Sequence, residues 1–542
     1  MKSTFKAVLA LAVALSITGS LPAQDRELGE LGDVQSPDPW VDQVKKGGAF
    51  LELTLKDAIR MTLVNNLELE IENYNEELNR ERIIGTRGFY DPIIVFDMRW
   101  NSFERPSTSR LDAGLTVPTV SRSGFSFSPE YRQNLPGGGN FQLSWGNDRN
   151  NTNSSWTFGE TQYTSSFAID FVQPLLRGFR QTSTERQLKL YNLDGKITDR
   201  QFQQRVSEII QQVENQYWEL VFAIENYEAQ RRSLDLAIIQ FRNNQKRVEI
   251  GVMAPIEITS SRAEVATREQ SMIQSEVRII NAQNAFKNLL ADDPRSSLWS
   301  MSLVPTDRPA VADLSITLDD AVSTALQRRP ELDQFMLELE KSEVDREFYK
   351  KEGKWAVNLV GNYNTYGTAI PQAPAGVVDY PYVGDFTQAW GQVFGFDWPG
   401  YSIGVQVEIP LRNRQNEAQL AGVAITERQL RSSLKSRQQA VMVEVRNAYE
   451  SIATQRKGYE AARVARILSE EQLEGENKRF EAGLSTNFEV LRYQRDLADA
   501  QVRELRAMVD YMQAVTDLNK ATFTIIDQND IVTARRDSDQ QP

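Results

Sequence analysis

The sequence predicts a mainly α-helical chain that also carries β-strands of membrane type, laid out as two internal repeats. Three observations predict it. A helix-opening motif recurs: Leu53–Glu70 reads LTLKDAIRMTLVNNLELE and Ile316–Asp333 reads ITLDDAVSTALQRRPELD, identical at seven of 18 positions. Residues 209–266 then align without a gap with 441–498, with 15 identities in 58 pairs, among them Asn215/Asn447, Arg247/Arg479, Gly251/Gly483 and Glu257/Glu489. Helical periodicity shared by chance would align apolar positions but not Asn, Gly, Arg and Glu, so the second half is a duplicate of the first. Finally, Ser166–Arg177 (SFAIDFVQPLLR) pairs with Ser402–Arg412 (SIGVQVEIPLR). Both alternate apolar and polar residues with the period of two that marks a strand, and each reaches a proline where a strand would end.

Composition narrows the chemistry. The 542 residues include no cysteine and no histidine, so disulfides, thiolate or imidazole metal sites, Ser-His or Cys-His catalysis and a lipidated N-terminal cysteine are excluded. The carboxylates scatter over helix faces, and no catalytic residue, cofactor site or metal site is expected. A net charge of −13 is unsuited to phosphate contacts, so nucleic acid is not an expected partner.

The ends and boundaries follow from local signals. Residues 1–23 read as a secretory signal: Lys2 and Lys6, an apolar run from Ala7 to Leu15, then small residues. An extended N-terminal segment is expected over 24–52. Repeat one covers 53–293, with strands within 91–173 and a helical-hairpin tip at 251. A linker follows at 294–315. Repeat two covers 316–525, with strands within 353–410 and a tip at 483, and 526–542 read as a disordered tail. No other run has the ~18 apolar residues of a spanning helix. The mature chain is therefore either soluble beyond the inner membrane or crosses a membrane with strands.

Each element has its reason. Thr54 and Thr317 are good N-caps, with Asp57 and Asp320 three residues on. Val206, Val213, Leu220, Tyr227, Leu234, Phe241 and Val248 recur every seven residues, with Ile210, Tyr217, Ile224 and Ile238 between them. That pattern predicts one coiled-coil helix from about Thr182 to Ile250, roughly 100 Å long at ~1.5 Å per residue. Gly251 and Gly483 supply the left-handed turn that ends each long helix, and a second helix runs back to about Leu290 and Thr524. The strand-like runs have the length of tilted membrane strands, and aromatics such as Trp100, Trp145, Trp156, Tyr363 and Tyr401 lie near them, as an interfacial girdle or as ordinary core. Leu55 to Pro174 spans 119 residues against 92 for Leu318 to Pro410. Two extra strands or one long outer loop would absorb the difference, and parity allows both.

With those motifs in place, the sequence resembles the TolC family of outer-membrane efflux proteins. The resemblance rests on LTLKDA with ITLDDA, on VQPLLRG with VEIPLRN, and on the hairpin turns RVEIGVMAPIE and RFEAGLSTNFE. It implies a homotrimer whose subunits each give four strands to a shared 12-stranded β-barrel in outer-membrane lipid, and long helices to a periplasmic coiled-coil tunnel. It also implies docking of a periplasmic adaptor (membrane fusion) protein at the tips, here Gly251, Val252, Met253 and Gly483, Leu484, Ser485. Glu257 and Glu489 match the acids that constrict the pore entrance. Arg492 stands where a second acid is familiar, and Phe480 and Ser485 stand where a tyrosine and an arginine form a lock. The implied function is a passive exit duct of a tripartite efflux or type I secretion system, fed by an inner-membrane pump. A periplasm-spanning coiled-coil tether without a pore explains the heptads equally well, but not four strand-like runs at matching points of two repeats.

Overall fold

The computed structural model describes residues 38–107, 119–154, 157–311, 316–374, 376–377 and 379–531. The expected signal and Trp156 lie outside them. In chain order, α1 (Trp40–Gly47) and β1 (Phe50–Leu53) precede α2 (Leu55–Asn65) and α3 (Leu67–Arg87). Four strands follow: β2 (Ile93–Pro106), β3 (Thr119–Asn134), β4 (Asn140–Thr152) and β5 (Thr161–Pro174). The hairpin of repeat one is α4 (Ser183–Glu249) and α5 (Ile256–Leu290), and β6 (Ser302–Pro305) closes the repeat. Repeat two runs through α6 (Leu318–Arg328), α7 (Pro330–Glu352), β7 (Ala356–Ala369), α8 (Phe386–Gly395) and β8 (Pro399–Glu408). It ends with α9 (Arg414–Glu481), α10 (Asn487–Ala521) and α11 (Ile525–Gln528). No described helix is long and apolar enough to cross a membrane.

The chain forms two compact units. The first gathers the segment up to Ala58 with Glu214–Ala312 and Ile452–Gln513; the second gathers Ile59–Val213, Asp313–Ser451 and the chain from Ala514. In the first unit β1 and β6 pair in parallel. Tyr217 is fully buried beside them. Its hydroxyl donates to Leu53 O at 3.2 Å and accepts from the Asp307 amide at 3.0 Å. Burial pushes this phenol up to about 12, so it stays neutral and holds the strand pair to the long helix. The segment 24–52 is thus not extended throughout: α1 forms, and the Trp40 amide donates to Glu228 Oε1 at 2.7 Å while its ring meets Tyr227 edge-on. Likewise 294–315 is more than a linker, because Leu303 and Val304 of β6 are buried. Four-residue strands are too short to show a periodicity in sequence.

The second unit holds an antiparallel six-stranded sheet in the order β2-β3-β4-β5-β7-β8. The extra length of repeat one is therefore two more strands rather than a loop, and the four strands per subunit implied by the TolC resemblance become six. Register separates the two faces. One row crosses all six strands as Ile94, Tyr131, Leu143, Ile169, Tyr363 and Tyr401. The neighbouring row reads Val95, Glu130, Ser144, Ala168, Asn364 and Gly400. Successive residues point to opposite faces, so one face is apolar and the other polar. Among the described residues no strand pairs with the outer edge of β2 or of β8.

The opening helix of each repeat breaks in two. Thr54 and Thr317 cap as expected, receiving the Asp57 and Asp320 amides at 3.1 and 3.3 Å. In repeat one, Asn66 ends α2 and caps α3, accepting from the Glu68 and Leu69 amides. In repeat two, Arg329 sits at the break, held extended by Pro330 at the first position of α7. A duplicated ion pair braces both breaks: Arg205 to Glu68 at 2.9 Å and Arg437 to Glu331 at 2.9 Å, equivalent positions of the two repeats. Arg329 adds a network of its own. It is 3% exposed, donates to Ala521 O at 2.8 Å, and pairs with Glu331 at 3.1 Å and Glu444 at 2.5 Å.

Removing that buried cation leaves Glu331 and Glu444 to share Arg437 alone, at 2.9 and 3.3 Å. Arg329→Ala is expected to cost about 2–4 kcal/mol, discounted because Glu444 is partly exposed, and to lower the thermal unfolding midpoint. Burial works to raise the Glu444 carboxyl, but Arg329 and Arg437 outweigh it and hold it below its ordinary 4.5. Its stabilisation is therefore complete above that value and is lost as pH falls through the lowered one. Thermal scans in acid should show the wild type losing this increment and Arg329→Ala, which keeps only the share that Arg437 supplies, changing less.

The stretch expected to be tail from 526 onward starts instead as part of a helix. Ile525 and Ile526 of α11 are buried, which orders the chain through the end of that helix. Residues 532–542 lie outside the described set.

Candidate functional site at the hairpin tips

Both tips lie in the first unit and share one backbone solution. Gly251 and Gly483 each have φ +77. The Val252 amide reaches Arg247 O at 3.0 Å and the Leu484 amide reaches Arg479 O at 2.8 Å, the Schellman closure of a helix end. Beyond the glycines the chain presents apolar side chains to solvent at equivalent positions. Val252 and Leu484 are 69% and 73% exposed, and Ile256 and Phe488, four residues on, 69% and 65%. The reading from sequence named Val252 and Leu484 but missed Ile256 and Phe488, although their spacing from the glycines was visible. Met253 and Ser485 are half-buried. Ser485 donates to Glu476, a nearly buried acid that also holds Arg479 at 3.0 Å.

The two candidate acids differ in company. Glu257, in the first turn of α5, accepts from Asn487 Nδ2 at 3.1 Å. Glu489, in the first turn of α10, pairs with Arg492 at 2.7 Å, whose guanidinium also lies 4.8 Å from the Tyr493 ring centre. The residue that departs from the TolC pattern is thus the one that neutralises Glu489.

A buried polar network ties hairpin one to hairpin two. Asn244 Nδ2 donates to Ser261 Oγ and to Asn487 Oδ1, both at 2.7 Å. Gln240 Nε2 reaches Asn244 Oδ1 at 3.0 Å and Asn487 Oδ1 at 3.1 Å, and Asn487 Nδ2 also reaches Ser261 Oγ at 3.3 Å. Asn244, Ser261 and Asn487 are all buried. Nearer the turns, the Arg247 guanidinium lies 4.5 Å from the Phe480 ring centre. Phe480 therefore makes a cation–π contact between the hairpins where a tyrosine hydroxyl was missing.

Residues 321–522 match the outer membrane efflux protein family. That stretch, most of repeat two, carries the family's signature. The match puts the protein in the outer membrane, in the efflux class. No curated protein matches it by sequence. Its fold is that of several solved channels. The CmeC outer membrane channel of Campylobacter jejuni superposes with a TM-score of 0.59 at 14% identity, over 88% of this chain and 90% of that one. The outer membrane protein VceC of Vibrio cholerae gives 0.56 at 12% identity, over 86% and 95%. The MtrE outer membrane channel of Neisseria gonorrhoeae, in an open state, gives 0.55 at 15% identity, over 86% and 88%.

Proposed function

We propose that three copies of this efflux protein join into one passive exit duct. The observation that carries the reading is the six-stranded sheet with one apolar face, one polar face and, among the described residues, two unpaired edges. A sheet in lipid must close, because unpaired edge amides and carbonyls have no water to bond. Three copies, the number the TolC resemblance implies, bring three times six strands, an 18-stranded barrel with the polar face inside. The helices support the same reading. Leu67, Ile71, Tyr74 and Leu78 of α3, spaced four, three and four apart, are each about half exposed. Such a heptad stripe calls for another copy. The exposed apolar tips, Val252 with Ile256 and Leu484 with Phe488, suit a periplasmic adaptor that bridges to an inner-membrane pump. The pump supplies the energy, and the duct opens when the tips part.

Glu257 and Glu489 form the acidic constriction in this reading. Glu257→Gln with Glu489→Gln is expected to weaken divalent-cation block and cation preference, and Arg492→Ala, which uncovers Glu489, to strengthen both. Exposed charges of this kind are worth about 1 kcal/mol or less, so shifts of roughly two- to fivefold are expected in single-channel recordings. Unchanged block and selectivity in all these variants would remove the acids from the pore entrance. Absence of any ion current, even from variants with loosened tips, would favour the tether.

A further inference from the structure

Among the described residues the helix α8 has no counterpart between the strands of repeat one, and the face it covers is informative. Its contacts all lie on the apolar side of the sheet. The Trp390 and Phe394 rings stand 5.4 and 5.6 Å from Trp145, and Phe386 stands 4.8 Å from Tyr163. Trp145 and Tyr163 share the face of Ile169 and Tyr363. The helix lies directly on strand β7: a Cβ on Gly367 would fall 2.0 Å from Ala389 O. It sits at the end of the sheet remote from the long helices, since β7 starts at Ala356 after α7 and meets α8 at Thr365 and Gly367.

Beneath α8 the polar groups of the sheet are satisfied. Asn147 Oδ1 accepts from Trp390 Nε1 at 2.6 Å and from Ser165 Oγ at 2.9 Å, and Ser165 Oγ accepts from Trp145 Nε1 at 3.0 Å. Beyond Thr365, where β8 no longer pairs, the Gln392 amide takes both backbone groups of Thr368, at 3.2 and 2.8 Å. The outer side of α8 and the turn that follows it, Phe396 to Trp398, are different. Ala389, Gln392 and Val393 are buried, whereas Phe394, Phe396 and Trp398 are each more than half exposed. No charged residue lies between Asp385 and Asp397.

We propose that α8 is a lipid-seated helix on the outside of the barrel, at the level of the outer-leaflet interface. The inference rests on the barrel reading above. The apolar face is the lipid face of a barrel whose other face is polar, and α8 continues that face outward with aromatics, the residues that settle where acyl chains meet headgroups. A dry setting also explains the internal pairing of Asn147, Ser165 and the β7 edge, which water would otherwise serve. The helix therefore anchors the rim of the barrel at a fixed depth.

The absence of native cysteine allows a direct test. Phe394→Cys and Trp398→Cys, each carrying a nitroxide, are reconstituted in phosphatidylethanolamine–phosphatidylglycerol vesicles, and collisions with oxygen and with a neutral nickel chelate are compared. Val405→Cys on the apolar face and Gln406→Cys on the polar face are the references. The expected oxygen-to-nickel ratio at 394 and 398 is several-fold above that at 406 and close to that at 405. A ratio like that at 406 would place α8 in water, and shielding from both reagents would place it against another copy; either result overturns the proposal. If 405 itself collides mainly with nickel, the barrel reading fails instead.

Discussion

Asn487→Ala, combined with Phe480→Ala, is expected to turn a closed duct into a conducting one. The Asn487 side chain receives donors from Asn244 and Gln240 and gives its own to Glu257 and Ser261. Its removal leaves Asn244, which is fully buried, short of an acceptor in the joined state. Each such unsatisfied group costs about 1–3 kcal/mol, and loss of the Arg247–Phe480 contact adds about 0.5–2 kcal/mol. Parted hairpins let water replace the lost partners, so the cost falls on the joined state alone. A bias of about 2–4 kcal/mol raises the open population roughly 30- to 1000-fold until it saturates. Planar-bilayer recordings should show frequent large openings in the double variant and rare ones in the wild type. Equal open times would mean that these contacts do not hold the tips together.

The second large effect concerns the width of the barrel. Deleting residues 108–152 removes β3 and β4 as a pair and joins the far end of β2 to the loop that enters β5. Parity is kept, and so are the faces, because Ile94 reaches Ile169 through Tyr131 and Leu143 on one row. Three four-stranded sheets would then close a 12-stranded barrel. Diameter grows about linearly with strand number, so the cross-section should fall to roughly half. Measured in the open-tip background, where the barrel limits flow, conductance and the size of excluded polymers should drop together. An unchanged pore would mean that β3 and β4 stand outside the wall.

Much of this architecture could be read from residue patterns, and the failures have physical reasons. The heptads of α4 were legible because burial repeats along one stripe, and Val206 to Phe241 are indeed buried. Toward the tip the stripe drifts, since a helix of 3.6 residues per turn does not keep a period of 3.5. Asn244 is buried while Gln245 is exposed, and the polar network built on Asn244 escaped a strict heptad. The pairing of Asn244 with Asn487 also joins positions that the duplication does not equate, so internal comparison could not find it. Strand number in repeat one was open because adding a hairpin or a loop returns the chain to the same side. The helix α8, with glycines at 391 and 395 and one apolar side too short for a period, carried no helical signal.

The edge-to-edge joining of separate copies is tested most directly by a disulfide scan in this cysteine-free chain. Met98→Cys on β2 is combined in turn with Tyr401→Cys, Ile403→Cys, Val405→Cys and Val407→Cys on β8. Within one open sheet these edges lie five strand spacings apart, roughly 24 Å, far beyond disulfide reach. Oxidation of the membrane-extracted protein should give, at one or two positions of the scan, a covalent ladder that ends at three chains. A cross-link confined within single chains, or a ladder that ends at two, would contradict the three-copy, 18-stranded barrel.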